Sequence, residues 1–296
     1  MNKPVIALGY FDSIHLGHKK LIDEALKYAR ERGQNLSVCT FEDGFLSSIG
    51  RNEKEVFLLR ERRTVLKDMG VEDIIVFPCN SDFLSQSKEN FCQSINVINP
   101  SAVFVGADYR FGKNASGDVN CLKALINAPV FIVDILFINE KKVSTSSVRD
   151  LITEGRIKEA NTFLSTPYFI SGTVTQGRKV GREMGLPTVN LIPSDNKLLP
   201  KFGVYAAEAR VEGKGYAAVV NIGDHPTFND VKCNVEAHII DYSGDLYGKE
   251  ITVKPIEYLR EIKKFDDALS LKNQIESDIK TTKEITDDKI RSCGKQ

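Results

Sequence analysis

The 296-residue chain lacks an excess of either charge: Lys plus Arg and Asp plus Glu number 40 each. That balance argues against a surface built to coat nucleic acid, and no nucleic acid is expected among its partners. The six cysteines, Cys39, Cys79, Cys92, Cys121, Cys233 and Cys293, form no C-x-x-C pair and no Cys/His cluster at metal spacing. They read as reduced, mostly buried thiols rather than zinc ligands or a redox pair. No N-terminal segment joins a charged start to a long apolar stretch and a small-residue cleavage site. The best later apolar run, "PVFIVDILFI" at 129–138, is short and contains Asp134. A soluble, cytoplasmic protein is expected, with no membrane attachment and no obligate protein partner. Internal repeats and low-complexity segments are missing as well. Histidine is scarce, four in all, yet two fall inside "ALGYFDSIHLGH" at 7–18.

The apolar run from Val5 to Leu8 reads as a strand, and "KKLIDEALKYARERG" at 19–33 carries Leu21, Ile22, Ala25, Leu26 and Ala29 at helical spacing. His15 and His18 therefore fall at a strand-to-helix turn. Unpaired N–H groups and the helix dipole favour an anion there, and imidazoles beside them can donate hydrogen bonds to a phosphate. The alternative is a pair of polar capping residues.

Up to about residue 155, strand-like and helix-like segments alternate: "LSVCTF" at 36–41, a helical "EVFLLRERRTVLKDMG" at 55–70, "DIIVF" at 73–77, a helix near 88–98. "AVFVG" at 102–106, a helix near 118–126, "PVFIV" at 129–133 and a helix from about Ser146 continue the pattern. This predicts an α/β domain with a parallel sheet and ligands at the carboxyl ends of its strands. From Tyr168 the texture changes to short β-rich runs punctuated by glycine and proline, which predicts a small antiparallel β-barrel. A charged, helix-compatible tail follows Phe265. The expected division is a domain over 1–160 and a barrel with a C-terminal helix over 165–290, the boundary lying near 155–167.

Further stretches carry candidate chemistry. "VGADYRFGKNASG" at 105–117 combines Asp108 and Arg110 with three glycines after a strand. "VSTSSVRDLITEG" at 143–155 sets four hydroxyl residues and Arg149 at a helix start, where they can cap the helix or bind phosphate. In the second half, "GTVTQGRKVGREMGLPTVNL" at 172–191 interleaves Gly172, Gly177, Gly181 and Gly185 with Arg178, Lys179 and Arg182. These glycines suit either turns that wrap a phosphate or an ordinary barrel turn. Thr188 and Asn190 share one face of an extended segment and offer neutral oxygens suited to a hard cation such as Mg²⁺. Glu236 and His238 share a face of "NVEAHIID" at 234–241. A mid-strand glutamate there can accept the proton of an attacking hydroxyl, or can form an outward salt bridge. His225 and His238 read as structural, since this chemistry asks for no histidine.

Taken in order, "GYFDSIHLGH", "VGADYRFG" and "VSTSSVRDLITEG" resemble the adenylyltransferase half of the bacterial bifunctional riboflavin kinase/FAD synthetase family. The barrel region resembles its riboflavin kinase half through the 172–191 stretch, "PKFGVY" (200–205), "NIGDHPTF" (221–228), "VEAHIIDY" (235–242) and "DLYG" (245–248). The resemblance implies a Rossmann-like nucleotidyltransferase domain followed by a riboflavin kinase-like barrel. It implies riboflavin, FMN, FAD, ATP and ADP as ligands, with Mg²⁺ required. In the first half, Gly9, Phe11, Asp12, Gly17, Asp108 and Arg110 would surround the nucleotide. His15 and His18 would stabilise charge on the α-phosphate, and Ser146 and Arg149 would hold phosphates. In the second half, Glu236 would be the general base, Thr188 and Asn190 the Mg²⁺ and phosphate ligands, and the loop with Gly172, Gly177, Gly181 and Arg182 the nucleotide clamp. Arg260 would line the flavin.

Two departures are visible. Ser13 stands where the family carries its second glycine, which strains the turn if that position takes positive φ. "TFEDGF" at 40–45 lacks the family's histidine and prolines, which removes one polar contact near the triphosphate. These leave two alternatives to a two-step enzyme: a riboflavin kinase with an impaired first domain, and a flavin- or nucleotide-binding regulator.

Overall fold

A computed structural model describes residues 3–175, 186–223 and 234–293. The chain divides into two compact units, Met1–Val148 with Phe163–Thr166, and Arg149–Thr162 with Pro167–Gln296.

The first unit runs β1 (Val5–Leu8), α1 (Leu16–Arg30), β2 (Leu36–Phe41), α2 (Phe45–Ser48), α3 (Leu59–Asp68), β3 (Asp73–Phe77), α4 (Ser81–Leu84) and α5 (Lys88–Ile98). It continues with β4 (Ala102–Gly106), α6 (Val119–Leu125), β5 (Val130–Val133), the small ribbon β6 (Phe137–Ile138) and β7 (Lys141–Lys142), and the start of α7 (Thr145–Thr153). Five strands pair in parallel in the order β3-β2-β1-β4-β5. All four residues of β1 are buried, as an unbroken apolar run must be in a central strand covered on both faces. The buried face of α1 is Leu21, Ile22, Ala25, Leu26 and Ala29, the set its spacing predicts. Strand order reverses between β1 and β4. In an open parallel sheet this switch point leaves a crevice at the carboxyl ends of the two strands.

The helix expected over 55–70 begins later, at Leu59. Two carboxylates decide this: Asp12 Oδ1 accepts from the Val56 N–H at 2.8 Å, and Glu61 Oε2 accepts from the Leu58 N–H at 3.0 Å. The first pins Val56 beside the turn after β1, in a bend rather than a helix, and the second caps the helix behind it.

The second unit follows the rest of α7 and α8 (Ile157–Phe163) with β8 (Ile170–Thr175), β9 (Val189–Leu191), β10 (Gly203–Val211), β11 (Lys214–Gly223), β12 (Asn234–Ile239), β13 (Glu250–Arg260) and α9 (Ala268–Cys293). Six antiparallel strands close a barrel in the order β10-β11-β12-β9-β8-β13. Outside it, Val204, Val219 and Ile240 cluster with Ile279 of α9. Among the described cysteines, Cys39, Cys79, Cys92 and Cys121 are free; Cys39 and Cys92 are buried, whereas Cys79 and Cys121 are half-exposed. Among the described residues no helix is long and apolar enough to cross a membrane.

Candidate functional sites

In the first unit a cleft of about 970 Å³ opens at the β1/β4 switch point, and Gly9, Phe11, His15, Gly17, His18, Asp108, Arg110 and Ser146 all line it. The turn that leaves β1 is strained. Phe11 (φ 55°) and Ile14 (φ 42°) take left-handed conformations, which are rare for bulky or β-branched residues. Ser13, where strain was expected, has no positive φ; its buried hydroxyl lies 3.1 Å from the Thr145 hydroxyl at the start of α7. The Phe11 ring turns under Gly9, where a Cβ would stand 2.9 Å from it, and meets the His18 ring edge-on at 5.1 Å.

His15 is both cap and cleft residue. Its Nδ1 accepts from the His18 N–H at 3.1 Å, closing the first turn of α1. The two imidazoles stack at 3.7 Å between centroids with 9° between planes. Burial drives His15 down to about 4, and burial together with the neighbouring His15 holds His18 well below the usual imidazole range. Both rings are therefore neutral near pH 7. With its Nδ1 accepting, His15 carries its proton on Nε2, and His18 Nδ1 is buried without a partner.

The hydroxyls before and within α7 divide their work. Ser144 Oγ accepts from the Ser147 N–H at 3.2 Å as a cap, Thr145 holds Ser13, and Ser146 faces the cleft. Arg149 follows Ser146 by one helical turn. Arg110 Nε donates to the Ala115 carbonyl at 3.1 Å, and Asp108 pairs with Lys142 at 2.8 Å. Asp12 is different. Its carboxylate is 1 % exposed, bonded to Val56, and is not among the residues lining the cleft. It organises the chain behind the turn.

In the barrel, strand register assembles a polar row. Thr175 stands opposite Asn190, Asn190 opposite Glu236, and Glu236 opposite Asn221. Residues directly opposite in a sheet share a face, so four strands present these side chains together. Thr188 Oγ1 donates to Glu236 Oε1 at 2.6 Å, and Asn234 Nδ2 donates to Asn190 Oδ1 at 2.6 Å. Both neutral oxygens keep lone pairs to spare. His238 lies 2.9 Å from the Pro187 carbonyl. Asn221, Asn234 and Thr175 were not singled out by motif; the pairing register reveals Asn221 and Thr175, and the bond to Asn190 reveals Asn234.

Two expectations for this half are corrected. Gly172 is not a turn residue: it sits inside β8, where a Cβ would stand 3.3 Å from the Leu191 side chain, so its smallness serves strand packing. Arg260 is held by a carboxylate: its Nη2 lies 2.7 Å from Asp278 Oδ2 of α9, with Nε 3.2 and 3.1 Å from the two carboxylate oxygens. The pair is largely buried, which makes Arg260 a clasp between β13 and α9. Asp278→Asn is expected to lower the barrel's stability by about 3 kcal/mol, read from its denaturant midpoint, because it strands a buried guanidinium. Gly177, Gly181, Arg182 and His225 lie outside the described residues.

Comparison with known proteins agrees with both halves. Residues 1–147 match the FAD synthetase family and residues 164–286 the riboflavin kinase family. The bifunctional riboflavin kinase/FMN adenylyltransferase of Bacillus subtilis (strain 168) is 34% identical, the match covering 93% of this chain and 90% of that protein. The chain belongs to that family. Its namesake in Listeria monocytogenes is 33% identical over 94% of this chain and 91% of its own length. The crystal structure of a macrolide-efflux protein from Streptococcus pneumoniae superposes with a TM-score of 0.86 at 30% identity, covering 95% of this chain and 94% of that one. As a member of the riboflavin kinase/FMN adenylyltransferase family, the protein phosphorylates riboflavin with ATP and adenylylates FMN.

Proposed function

We propose that the β1/β4 cleft carries the FAD-forming step and the Glu236 row the FMN-forming step. The observation that supports this most is the pairing of Glu236 with Thr188 and Asn190 on one barrel face, a base beside two neutral hard oxygens. There Glu236 accepts the proton of the riboflavin 5′-hydroxyl as that oxygen attacks the γ-phosphorus of ATP, and ADP leaves. Thr188 and Asn190 suit Mg²⁺ by donor chemistry, leaving room for phosphate oxygens and water in its shell. Bound there, Mg²⁺ supplies charge neutralisation for the transferring phosphoryl group.

In the cleft, an FMN phosphate oxygen attacks the α-phosphorus of ATP and pyrophosphate leaves. His15 Nε2–H and His18 donate hydrogen bonds to the α-phosphate oxygens, while Ser146 and Arg149 hold the departing phosphates. The aromatic part of the cleft lining, where Phe45 stacks on Phe41 and Tyr10 leans on Phe45 at a tilt, suits the flat isoalloxazine ring. Soluble substrates of both steps fit a cytoplasmic protein.

The test is to incubate the protein with riboflavin or with FMN, each with ATP, and separate the flavins by chromatography. FMN and FAD are expected from riboflavin, and FAD from FMN, with FMN formation lost in chelator and restored by Mg²⁺. Thr188→Val is expected to raise the Mg²⁺ concentration required for phosphorylation about tenfold while FAD formation from FMN stays unchanged. Unchanged Mg²⁺ dependence would remove Thr188 from the metal shell.

A further inference from the structure

The segment between β2 and α3 is where this chain departs from the family motif, and the buried Glu55 carboxylate anchors the start of α2 within it. Glu55 is 1 % exposed. Its Oε1 accepts from the Tyr10 hydroxyl at 2.5 Å and from the Gly44 N–H at 2.7 Å. Tyr10 belongs to the strained turn after β1, and Gly44 (φ 87°) opens α2. One oxygen thus ties the turn after β1 to the start of α2, two segments far apart in sequence that both contribute to the cleft lining. The tied element cannot hold itself: α2 has four residues, too few for a helix stable on its own. It carries Phe45 and Leu46 into the cleft wall, with Ile49 and Arg51 just beyond. Phe45 stacks on Phe41 at 4.1 Å and leans on Tyr10 at 4.8 Å.

We propose that Glu55 is a positioning residue for the FAD-forming step, fixing the α2 wall against Tyr10 and thereby the seat of the flavin ring. The proposal rests on the cleft being the adenylyltransferase site. Its electrostatic setting gives it a signature. Burial pushes the Glu55 carboxyl up to about 7, with Asp43 raising it and Arg62 lowering it. The other ionisable groups facing the cluster are Tyr10 and Asp12 after β1, Glu42 before α2 and the Cys79 thiol after β3. Burial, Asp12 and Glu55 keep the Tyr10 phenol protonated, so its donor persists throughout the working range. Above about pH 7 Glu55 is ionised and accepts both bonds with charge assistance; below it the carboxyl is neutral and the wall is held less firmly. The KM for FMN should therefore fall as pH rises through that value.

The experiment is steady-state FAD formation with FMN varied at saturating ATP, from about pH 5.5 to 9, in the full-length protein and in Glu55→Gln and Tyr10→Phe. Riboflavin phosphorylation in the same preparations is the control for the rest of the chain. Both variants are expected to raise the KM for FMN about fivefold with kcat within about twofold. The inflection near pH 7 should vanish in Glu55→Gln, and phosphorylation should be unchanged. An inflection that persists in Glu55→Gln, or a wild-type KM in Tyr10→Phe, overturns the proposal. If Glu55→Gln unfolds the first unit, Tyr10→Phe decides alone, because it removes one hydroxyl and keeps the ring packed on Phe45. Failure of the cleft assignment looks different, since FAD output would then survive loss of His15 and His18 too.

Discussion

Glu236→Gln is expected to reduce the rate of FMN formation from riboflavin by about 10²–10⁴-fold, the range a general base supplies, while FAD formation from supplied FMN is unchanged. The substitution preserves the shape of the side chain and an oxygen that can still accept from the Thr188 hydroxyl, now 2.6 Å from Glu236 Oε1. What it removes is the capacity to take a proton. A loss in kcat with little change in KM for riboflavin separates this role from simple binding. Chromatography of the two reactions, run side by side, reads both quantities. Equal loss of both activities would place Glu236 in the stability of the whole chain rather than in one reaction. An unaffected kinase would return Glu236 to a strand carboxylate bonded to Thr188.

Replacing His15 and His18 together by alanine is expected to do the reverse, lowering FAD formation from FMN by about 10²–10³-fold, the scale of losing preorganised donors at a developing anion. Phosphorylation of riboflavin should persist. The single His15→Ala change carries a second cost, because His15 also caps α1 through the His18 N–H. Losing that cap destabilises by about 1 kcal/mol. Asparagine at 15 offers a side-chain cap without an imidazole, so His15→Asn should recover the stability and not the rate. The pH profile adds an independent check. With His15 driven to about 4 and His18 well below its ordinary value, neither ring in the free protein should produce an inflection near 6.5. If FAD output survives the double change, the histidine turn is a helix cap and nothing more.

Much of the architecture was legible in residue order because burial imposes simple periods. The unbroken run of β1 and the five-residue face of α1 follow directly from what a covered strand and a one-sided helix must contain. The barrel was legible through short strands set between glycine and proline, and motif drew attention to Thr188, Asn190 and Glu236, which the fold brings side by side. Long-range pairing was not. Asn221 joins the row only because β11 and β12 meet in one particular register. Arg62 illustrates a different failure. Nothing in "LRERRTVLKD" marks it off from the neighbouring charged residues, yet it is fully buried, donating to the Tyr10 and Phe41 carbonyls and to Thr40. Three acceptors distant in sequence converge on it, with the Asp43 carboxylate 3.5 Å from its Nη2. Arg260 misled for the same reason, its partner Asp278 being supplied by a helix that sequence order cannot orient.

The turn after β1 also says something about when this cleft comes into being. Phe11 and Ile14 each hold a backbone conformation that costs about 1–3 kcal/mol, and neither residue type would choose it in an isolated segment. Both side chains are buried, at 1 % and 0 % exposure. It is the surrounding core that keeps the backbone where His15 can cap α1 and face the cleft. The turn is thus a product of tertiary closure and not a template for it. A partly unfolded chain, even with β1 and α1 formed, lacks the core that holds this turn in place. On the proposed assignment of the cleft, a nucleotide binds only molecules whose first unit is folded, and its binding adds to the stability of that unit.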